Sequence, residues 1–455
     1  YVGSHVALIA GTIRDNLHYG LKHRPMRPAG NAEDADGDRQ WFVFEAQRSG
    51  NTTSYPDDDW IDYAEAGVAG QQEFADRALD VLSLVDLEPG LFGLGLRGAL
   101  ASGERSDLAG RILHARRVLR ERLQDRRYAG LVESFDDERY NRNMSVAENL
   151  LFGLPLGDTF DLERLSEHPY VQQVLEQVGL REEFFAIGLR TAKIMVDLFR
   201  DLPPGHEFFE RFSFISSDDL PEYQAAIRRI EAEGLAATAP ADRNLLSSLP
   251  FKLIPARHRL GLFGESIENR LLQARRTFAG GMPPELRHAV AFFDPDAYNP
   301  AASVQDNILF GKLVYGRQQA QREIGALIAR VVEELGLRRE IVDLGLDFEV
   351  GIGGSRLSAA HRQRLGLARA LIKRPDLLVI DHATAALDPA GQAAILARLL
   401  REPTGAGLVW VMNDIAQAEP FDRIILMEGG RVLQQGSARE VIADQQTRAA
   451  EAAAS

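Results

Sequence analysis

An α/β fold is predicted: a mostly parallel sheet flanked by helices, with an enlarged and internally repeated helical part. Three observations carry this reading. The run Leu377-Leu378-Val379-Ile380 is short and wholly apolar, as a parallel strand buried on both faces requires, and Leu408 to Met412 is a second such run. Asp381 closes the first run at the carboxyl edge, where open α/β sheets place their chemistry. The stretch from His361 to Ile372 carries Leu365, Leu367, Ala368, Leu371 and Ile372 at helical spacing, with Ser358 where an N-cap belongs and Pro375 beyond its end. The third observation is a repeat that fills the middle of the chain.

Composition bounds the possibilities. At 455 residues the chain can hold two to four domains with sizeable cores. A net charge of -14 argues against a nucleic-acid-wrapping surface, which needs a basic face, so no nucleic-acid partner is expected. The chain has no cysteine, which excludes disulfides and thiol-metal sites and fits a reducing compartment. No stretch approaches the roughly 18 apolar residues of a membrane-spanning helix. No signal-peptide pattern is read in the opening residues, and none is expected.

The repeat is read by direct comparison. Phe135 to Gly153 (FDDERYNRNMSVAENLLFG) and Phe293 to Gly311 (FDPDAYNPAASVQDNILFG) align without a gap as second and third copies in chain order, and Thr12 to Gly20 is a shorter one that comes first. A second shared block ends in Gly95-Leu96-Arg97, Gly188-Leu189-Arg190 and Gly345-Leu346-Asp347. A third recurs as Arg111 to Arg117, Arg270 to Arg276 and Arg364 to Ala370. The expected organisation is therefore 1–134 as a first unit with an acidic insertion, 135–292 as a second with an inserted segment at 191–269, 293–372 as a third ending in the His361 helix, 373–447 as the sheet-bearing part, and 448–455 as a disordered tail. The first insertion, about residues 22 to 65, holds the runs at 31–38 and 55–59 and reads as an acidic surface loop. Beyond Asp388, Ala393 to Leu400 reads as a helix, Arg423 to Met427 and Val432-Leu433 as a hairpin, and Ser437 to Glu440 as a capping box opening a last helix.

The Ser355–Asp388 stretch resembles the ATP-binding domain of ABC transporters, exporter-like in its T-I-R-D-N-L motif at Thr12 to Leu17. The family signature L-S-G-G-Q-x-Q-R is matched by Leu357, Ser358, Ala359, Ala360, His361, Arg362, Gln363 and Arg364. The Walker B strand is matched by Leu377 to Asp381, with His382 where the family has Glu. The D-loop falls on Ala385 to Asp388, and the switch histidine on Asn413. Tyr1 to Gly20 resembles the Q-loop strand and its exit, the Gln itself falling on Ser4. No G-x-x-x-x-G-K-[ST] phosphate loop occurs. The simplest reading of that is truncation of a longer protein, and the alternative is a chain that never had the loop.

The resemblance implies an ABC-type P-loop NTPase core, ATP and Mg²⁺ as cofactors, and partners in a transmembrane domain, on the same or a separate polypeptide, and a second nucleotide-binding domain. It implies a cytoplasmic location, peripheral to the inner membrane through that membrane domain. Asp381 would hold Mg²⁺ through water; His382 and Asn413 would take the catalytic positions; Ser4, Ser358, Ala359, Ala360, His361 and Asp388 would face nucleotide. The expected function is coupling of ATP binding, with slow hydrolysis, to movement of a membrane domain. The alternative is a pseudo-ATPase module that pairs with a competent ABC domain, because five family positions are altered: Ser4, Ala359, Ala360, His382 and Asn413. On the residues alone both readings stand.

Overall fold

The computed structural model describes residues 1–27, 35–56, 58–100, 105–162, 164–199, 202, 215–401, 405–413 and 415–445. The chain forms two compact units, 1–95 with 341–455 and 96–340.

In the first unit the two apolar runs lie side by side. Leu377–Asp381 pairs in parallel with Gly407–Val411 on one edge and with Val2–Gly3 on the other. Leu378 and Ile380 are buried on the face covered by helices, whereas Leu377 and Val409 are exposed on the other. The helix Ala359–Leu371 starts at Ser358, whose hydroxyl accepts the His361 N–H. It buries Leu365, Leu367, Ala368 and Leu371, the residues that its periodicity marks. The helix Pro389–Arg401 follows the strand. Ile424–Glu428 and Arg431–Gly436 form a hairpin across Gly429 and Gly430, both at positive φ. Ser437 and Glu440 exchange capping hydrogen bonds ahead of the helix at 438–445. The tail from 446 lies outside the described residues.

The stretch from 22 to 65 corrects an expectation. It is not a surface loop: Lys22–Arg27 pairs antiparallel with Asp59–Ile61, and Ala35–Ser49 is a helix between them. Aromatic and ionic contacts organise it. Phe42 meets Tyr55 edge-on at 5.4 Å, Arg39 holds the buried Asp58 through two bonds of 2.7 and 3.0 Å, and Tyr63 is buried against Phe74. Charge density suggested solvent, but Asp58 and Asp59 are used inside the fold. Residues 31–34 and Asp57 of the acidic runs lie outside the described residues.

The repeats have physical counterparts. Each copy contains a six-residue helix, Ile13–His18, Val146–Leu151 or Val304–Leu309, capped by Thr12, Ser145 or Ser303. The glycine shared by the second block marks a backbone-to-backbone helix crossing. A Cβ on Gly95 would stand 1.8 Å from the Ile341 carbonyl oxygen, one on Gly345 2.1 Å from that of Leu91, and one on Gly188 1.9 Å from that of Leu246. Only glycine allows such an approach.

In the 96–340 unit the second and third copies are interlocked. Val132–Ser134, ahead of one copy, pairs antiparallel with Gly311–Leu313 at the end of the other; Val290–Phe292 pairs in the same way with Gly153–Pro155. The reciprocity is that of a local twofold. Phe135 and Phe293 stack at its centre, with ring centroids 4.1 Å apart.

Each loop is held by a buried arginine from the third block. Arg275, on the helix Glu265–Gly280, donates to the carbonyls of Asn149, Asp136, Asp137 and Arg139 and to the Asn149 side chain, at 2.8 to 3.2 Å. Arg116, on Ser106–Arg122, repeats this with the carbonyls of Asn307, Asp294, Pro295 and Ala297 and the Asn307 side chain, at 2.7 to 3.1 Å. The two guanidiniums lie 4.3 and 4.4 Å from the Phe152 and Phe310 ring centres. Burial lowers both arginine pKa values to about 10, which leaves them charged at neutral pH. The equivalent Arg369 in the first unit makes one hydrogen bond, to the Ala7 carbonyl at 3.0 Å.

Hydrogen bonds to charged groups contribute about 1.5–3 kcal/mol each, and Arg275→Met would leave several buried acceptors unpaired. It should destabilise its unit by about 3 kcal/mol or more, and Arg116→Met should do the same, whereas Arg369→Met should cost about 1 kcal/mol or less. Urea denaturation followed by hydrogen exchange in each unit measures this, and equal losses for Arg275→Met and Arg369→Met would contradict it.

Candidate functional site

The candidate site is built by the sheet. Because Val2–Gly3, Leu377–Asp381 and Gly407–Val411 run parallel, their carboxyl ends deliver Ser4, Asp381 with His382, and Asn413 to one edge. This is the edge at which strands of an open α/β sheet place polar side chains.

Asp381, His382 and Asn413 are joined. His382 Nδ1 lies 2.8 Å from Asp381 Oδ1, and its Nε2 lies 3.3 Å from Asn413 Oδ1. The other Asp381 oxygen accepts the Tyr1 hydroxyl at 2.8 Å. These donors hold the Asp381 carboxyl below its ordinary pKa, His382 first and Tyr1 second. The same pairing, with Asn413, raises the imidazole above its ordinary 6.5. His382 sits at φ 53, a left-handed conformation uncommon for a residue with a side chain, and this turns its ring back along the strand end. Protonated on both nitrogens, the ring would donate to both oxygens. A ring that donates through both nitrogens has no lone pair with which to take a proton from water.

The signature residues form a second group. Ser358 Oγ accepts the His361 backbone N–H at 3.2 Å and lies 2.9 Å from His361 Nδ1, so His361 occupies the hydroxyl that caps the helix. Ala359 and Ala360 are the first two residues of that helix, whose N-terminal amides and dipole suit an anion. Their methyl groups stand where the family has glycine. Asp388 caps the next helix through the Gly391 N–H at 2.9 Å. Ser4 contributes through its backbone, and its hydroxyl turns to His5 at 2.9 Å.

Sequence reasoning passed over Gln363. Its buried side chain donates to the Ser4 carbonyl at 3.2 Å and accepts the Ala386 N–H at 2.8 Å, tying the Q-loop strand to the D-loop through the signature helix. The signal was present: it is the second Gln of the signature, a polar residue on the helix's apolar face. The Tyr1 bond to Asp381 had no such signal.

A magnesium ion fits the donor set at Asp381. Its carboxylate is kept ionised and exposed, and Mg²⁺ is commonly held by one or two carboxylates with waters and phosphates completing the shell. Among the described residues no cluster of three or more His, Asp or Glu forms a self-sufficient metal site.

Comparison with known proteins points the same way. The profile described as ABC transporter matches residues 259–385, from before the third copy into the D-loop. Through this stretch the chain is similar to the ABC transporter family. Its α/β core, the parallel sheet with helices alongside, is that of an ABC-type P-loop NTPase. The chain is 31% identical over 158 residues to the heterocyst differentiation ATP-binding protein HepA of Nostoc sp., covering 34% of this chain and 25% of that protein. It is 27% identical over 242 residues to the ATP-dependent lipid A-core flippase of Ralstonia nicotianae, covering 51% and 38%. It is 35% identical over 162 residues to the energy-coupling factor transporter ATP-binding protein EcfA1 of Symbiobacterium thermophilum, covering 34% and 52%. The chain thus spans about a quarter to a half of the length of these relatives. Among the described residues no helix is long and apolar enough to cross a membrane.

The raised His382 pKa has a definite sign in stability. Below the ordinary 6.5 the ring is charged folded or unfolded, and its pairing with Asp381 contributes in full; as pH rises through the raised folded value, that contribution is lost. An NMR titration of the His382 ring should place its midpoint above 6.5, and Asp381→Asn should bring it back down. A midpoint at or below the ordinary value in the unmodified chain would contradict the hydrogen-bonded arrangement.

Proposed function

We propose that this chain is the ATP-binding region of an ABC transporter, and that it couples ATP binding to movement of a membrane domain on the same or a separate polypeptide. The observation that carries this is the placement of Asp381, His382 and Asn413 on one strand edge, with the signature helix leading into it. In this reading Asp381 holds Mg²⁺ through its water shell, and Ser358 with the first amides of its helix meets the phosphates of ATP bound to a second nucleotide-binding domain. Asp388 holds the turn that follows, and Gln363 keeps Ser4 in register with the D-loop. The membrane-domain partner puts the chain at the cytoplasmic face of a membrane.

The same geometry supports a second reading of the chemistry. A cationic His382 supplies no base, and Asn413 relays no proton, so the domain acts chiefly by binding, as a pseudo-ATPase half that pairs with a competent one. The two readings share the ATP site and differ in turnover.

Two measurements test this. Calorimetry on the chain alone should give at most weak Mg-ATP affinity, since the helix at Ser358 offers few phosphate donors; micromolar binding by the isolated chain would refute the assignment of donors. Turnover is tested in a chain supplied with a phosphate loop, upstream or on a partner domain. Catalytic groups that act as a unit are strongly non-additive. His382→Glu alone should therefore recover little phosphate release, His382→Glu with Asn413→His more, and Ala359→Gly with Ala360→Gly more again, with Asp381→Asn as the blank. If the unmodified protein already turns over at about 1 s⁻¹ or faster, a common rate for phosphoryl transfer, the binding-only reading is wrong.

A further inference from the structure

At the other end of the Leu377–Asp381 strand the first unit contains a cavity of about 370 Å³. Leu378, beside it, lies three residues before Asp381, about 10 Å along the strand, so the cavity is apart from the edge that carries Asp381. Leu371, Leu378, Leu399 and Leu408 form apolar walls, and Arg77 and Arg374 are the charged residues that line it. The volume is within the range of small-molecule sites, and apolar walls with a few fixed polar groups are their usual character.

Among the described residues neither arginine has a carboxylate partner. Arg77, on the helix Gln71–Leu84, reaches the Leu371 carbonyl through Nη2 at a long 3.4 Å, while its Nε is buried with no hydrogen-bond partner. Buried donors are nearly always paired, and a cationic one left unpaired is costly. Arg374 is held in the left-handed region at φ 49, although a proline follows it, and its side chain lies across Gly67, where a Cβ would come within 2.1 Å of Nη1. Backbone strain of this kind is characteristic of ligand sites. No carboxylate pairs with either guanidinium among the described residues, in a chain with 66 acidic residues against 52 basic ones.

We propose that this cavity binds a small organic anion, a carboxylate or phosphate monoester held by Arg77 and Arg374 with a short aliphatic tail against Leu371, Leu378, Leu399 and Leu408. The guanidinium fork supplies paired N–H donors that match either headgroup. The leucines supply the tail's seat, which distinguishes such a ligand from free inorganic phosphate. The volume suits a single short chain.

Isothermal titration of the full chain with octanoate and with octyl phosphate should give saturable binding of one molecule per chain for at least one of them. Inorganic phosphate and 1-octanol, head and tail alone, should each bind at least tenfold more weakly. Arg77→Gln should weaken the bound probe about tenfold or more, the loss expected for a charge-assisted hydrogen bond in a partly dry site. Arg374→Asn, whose short polar side chain tolerates the left-handed backbone, should do likewise and keeps the test open should Arg77→Gln fail to fold. Leu399→Trp, which fills the cavity without touching charge, should abolish binding, with circular dichroism confirming the fold. Failure of both probes to saturate, or equal binding of octanol, overturns the proposal. So does an affinity unchanged in both arginine variants. Sedimentation with anionic phospholipid vesicles separates the sources: association lost in Arg77→Gln would assign the site to a lipid headgroup and overturn the small-anion assignment.

Discussion

A buried guanidinium surrounded by main-chain carbonyls is the interaction on which the larger unit depends. Arg116 and Arg275 each satisfy four backbone oxygens and one asparagine side chain, three of the oxygens in a loop without regular structure and the fourth, with the asparagine, on the six-residue helix that follows it. The asparagine does the complementary work. Asn149 accepts the Asn141 N–H and donates to the Asn141 and Ser145 carbonyls, and Asn307 does the same with Asn299 and Ser303. A loop with its backbone polarity met in this way can be buried, and only then can Phe135 and Phe293 stack across it. Burying a charge without such a shell is prohibitive, so clamp and loop must form together.

The same logic explains how three similar segments sort themselves. Along the chain the loops and clamping helices alternate, but their partnerships are nested. The first loop is held by the last helix, through Arg369 to Ala7 and Gln363 to Ser4. The helix carrying Arg116 holds the third loop, and the helix carrying Arg275 holds the second. The first unit is therefore closed by the two ends of the chain, although the family profile matches one continuous stretch. Direct comparison of the sequence reveals three copies and their order. It cannot reveal the nesting, because each third-block helix offers an arginine at the equivalent place and each loop an asparagine. What decides is long-range packing, such as the glycine crossing of Gly95 with Gly345, and no local pattern reports which of two glycines faces which.

Legibility elsewhere followed the physics of each signal. The strands at Leu377 and Leu408 were readable because each is an unbroken apolar run, although one face of each is exposed rather than buried as expected, and the helix from Ala359 because its cap and period agree. The segment from 22 to 65 was misread because acidic residues were counted as solvent-facing before the arginine and aromatic partners of Asp58 and Tyr55 could be placed. At the candidate site, Asp381, His382 and Asn413 could be named from spacing. The pairing of His382 could not, since it depends on two side chains that only the sheet register brings to opposite sides of one ring.

The contrast between the clamps bears on which loop can respond to a ligand. In the 96–340 unit the loops are locked by five arginine bonds each, and by strand pairing at both ends. In the first unit Asn16 still accepts the Ile9 N–H and donates to the Ile9 and Thr12 carbonyls, but the arginine contributes a single bond and only Val2–Gly3 is in the sheet. Segments that move on binding are drawn from the less stable end of a structure, since a ligand can shift only an equilibrium whose states differ by a few kcal/mol. The residues between Ser4 and Thr12 take one arginine bond where the corresponding residues of the other two copies take several, and are held instead by Gln363 at Ser4 and by Val350 at Gly11. The same arginine position thus serves as a full clamp in two copies and as a single contact in the copy beside the strand edge.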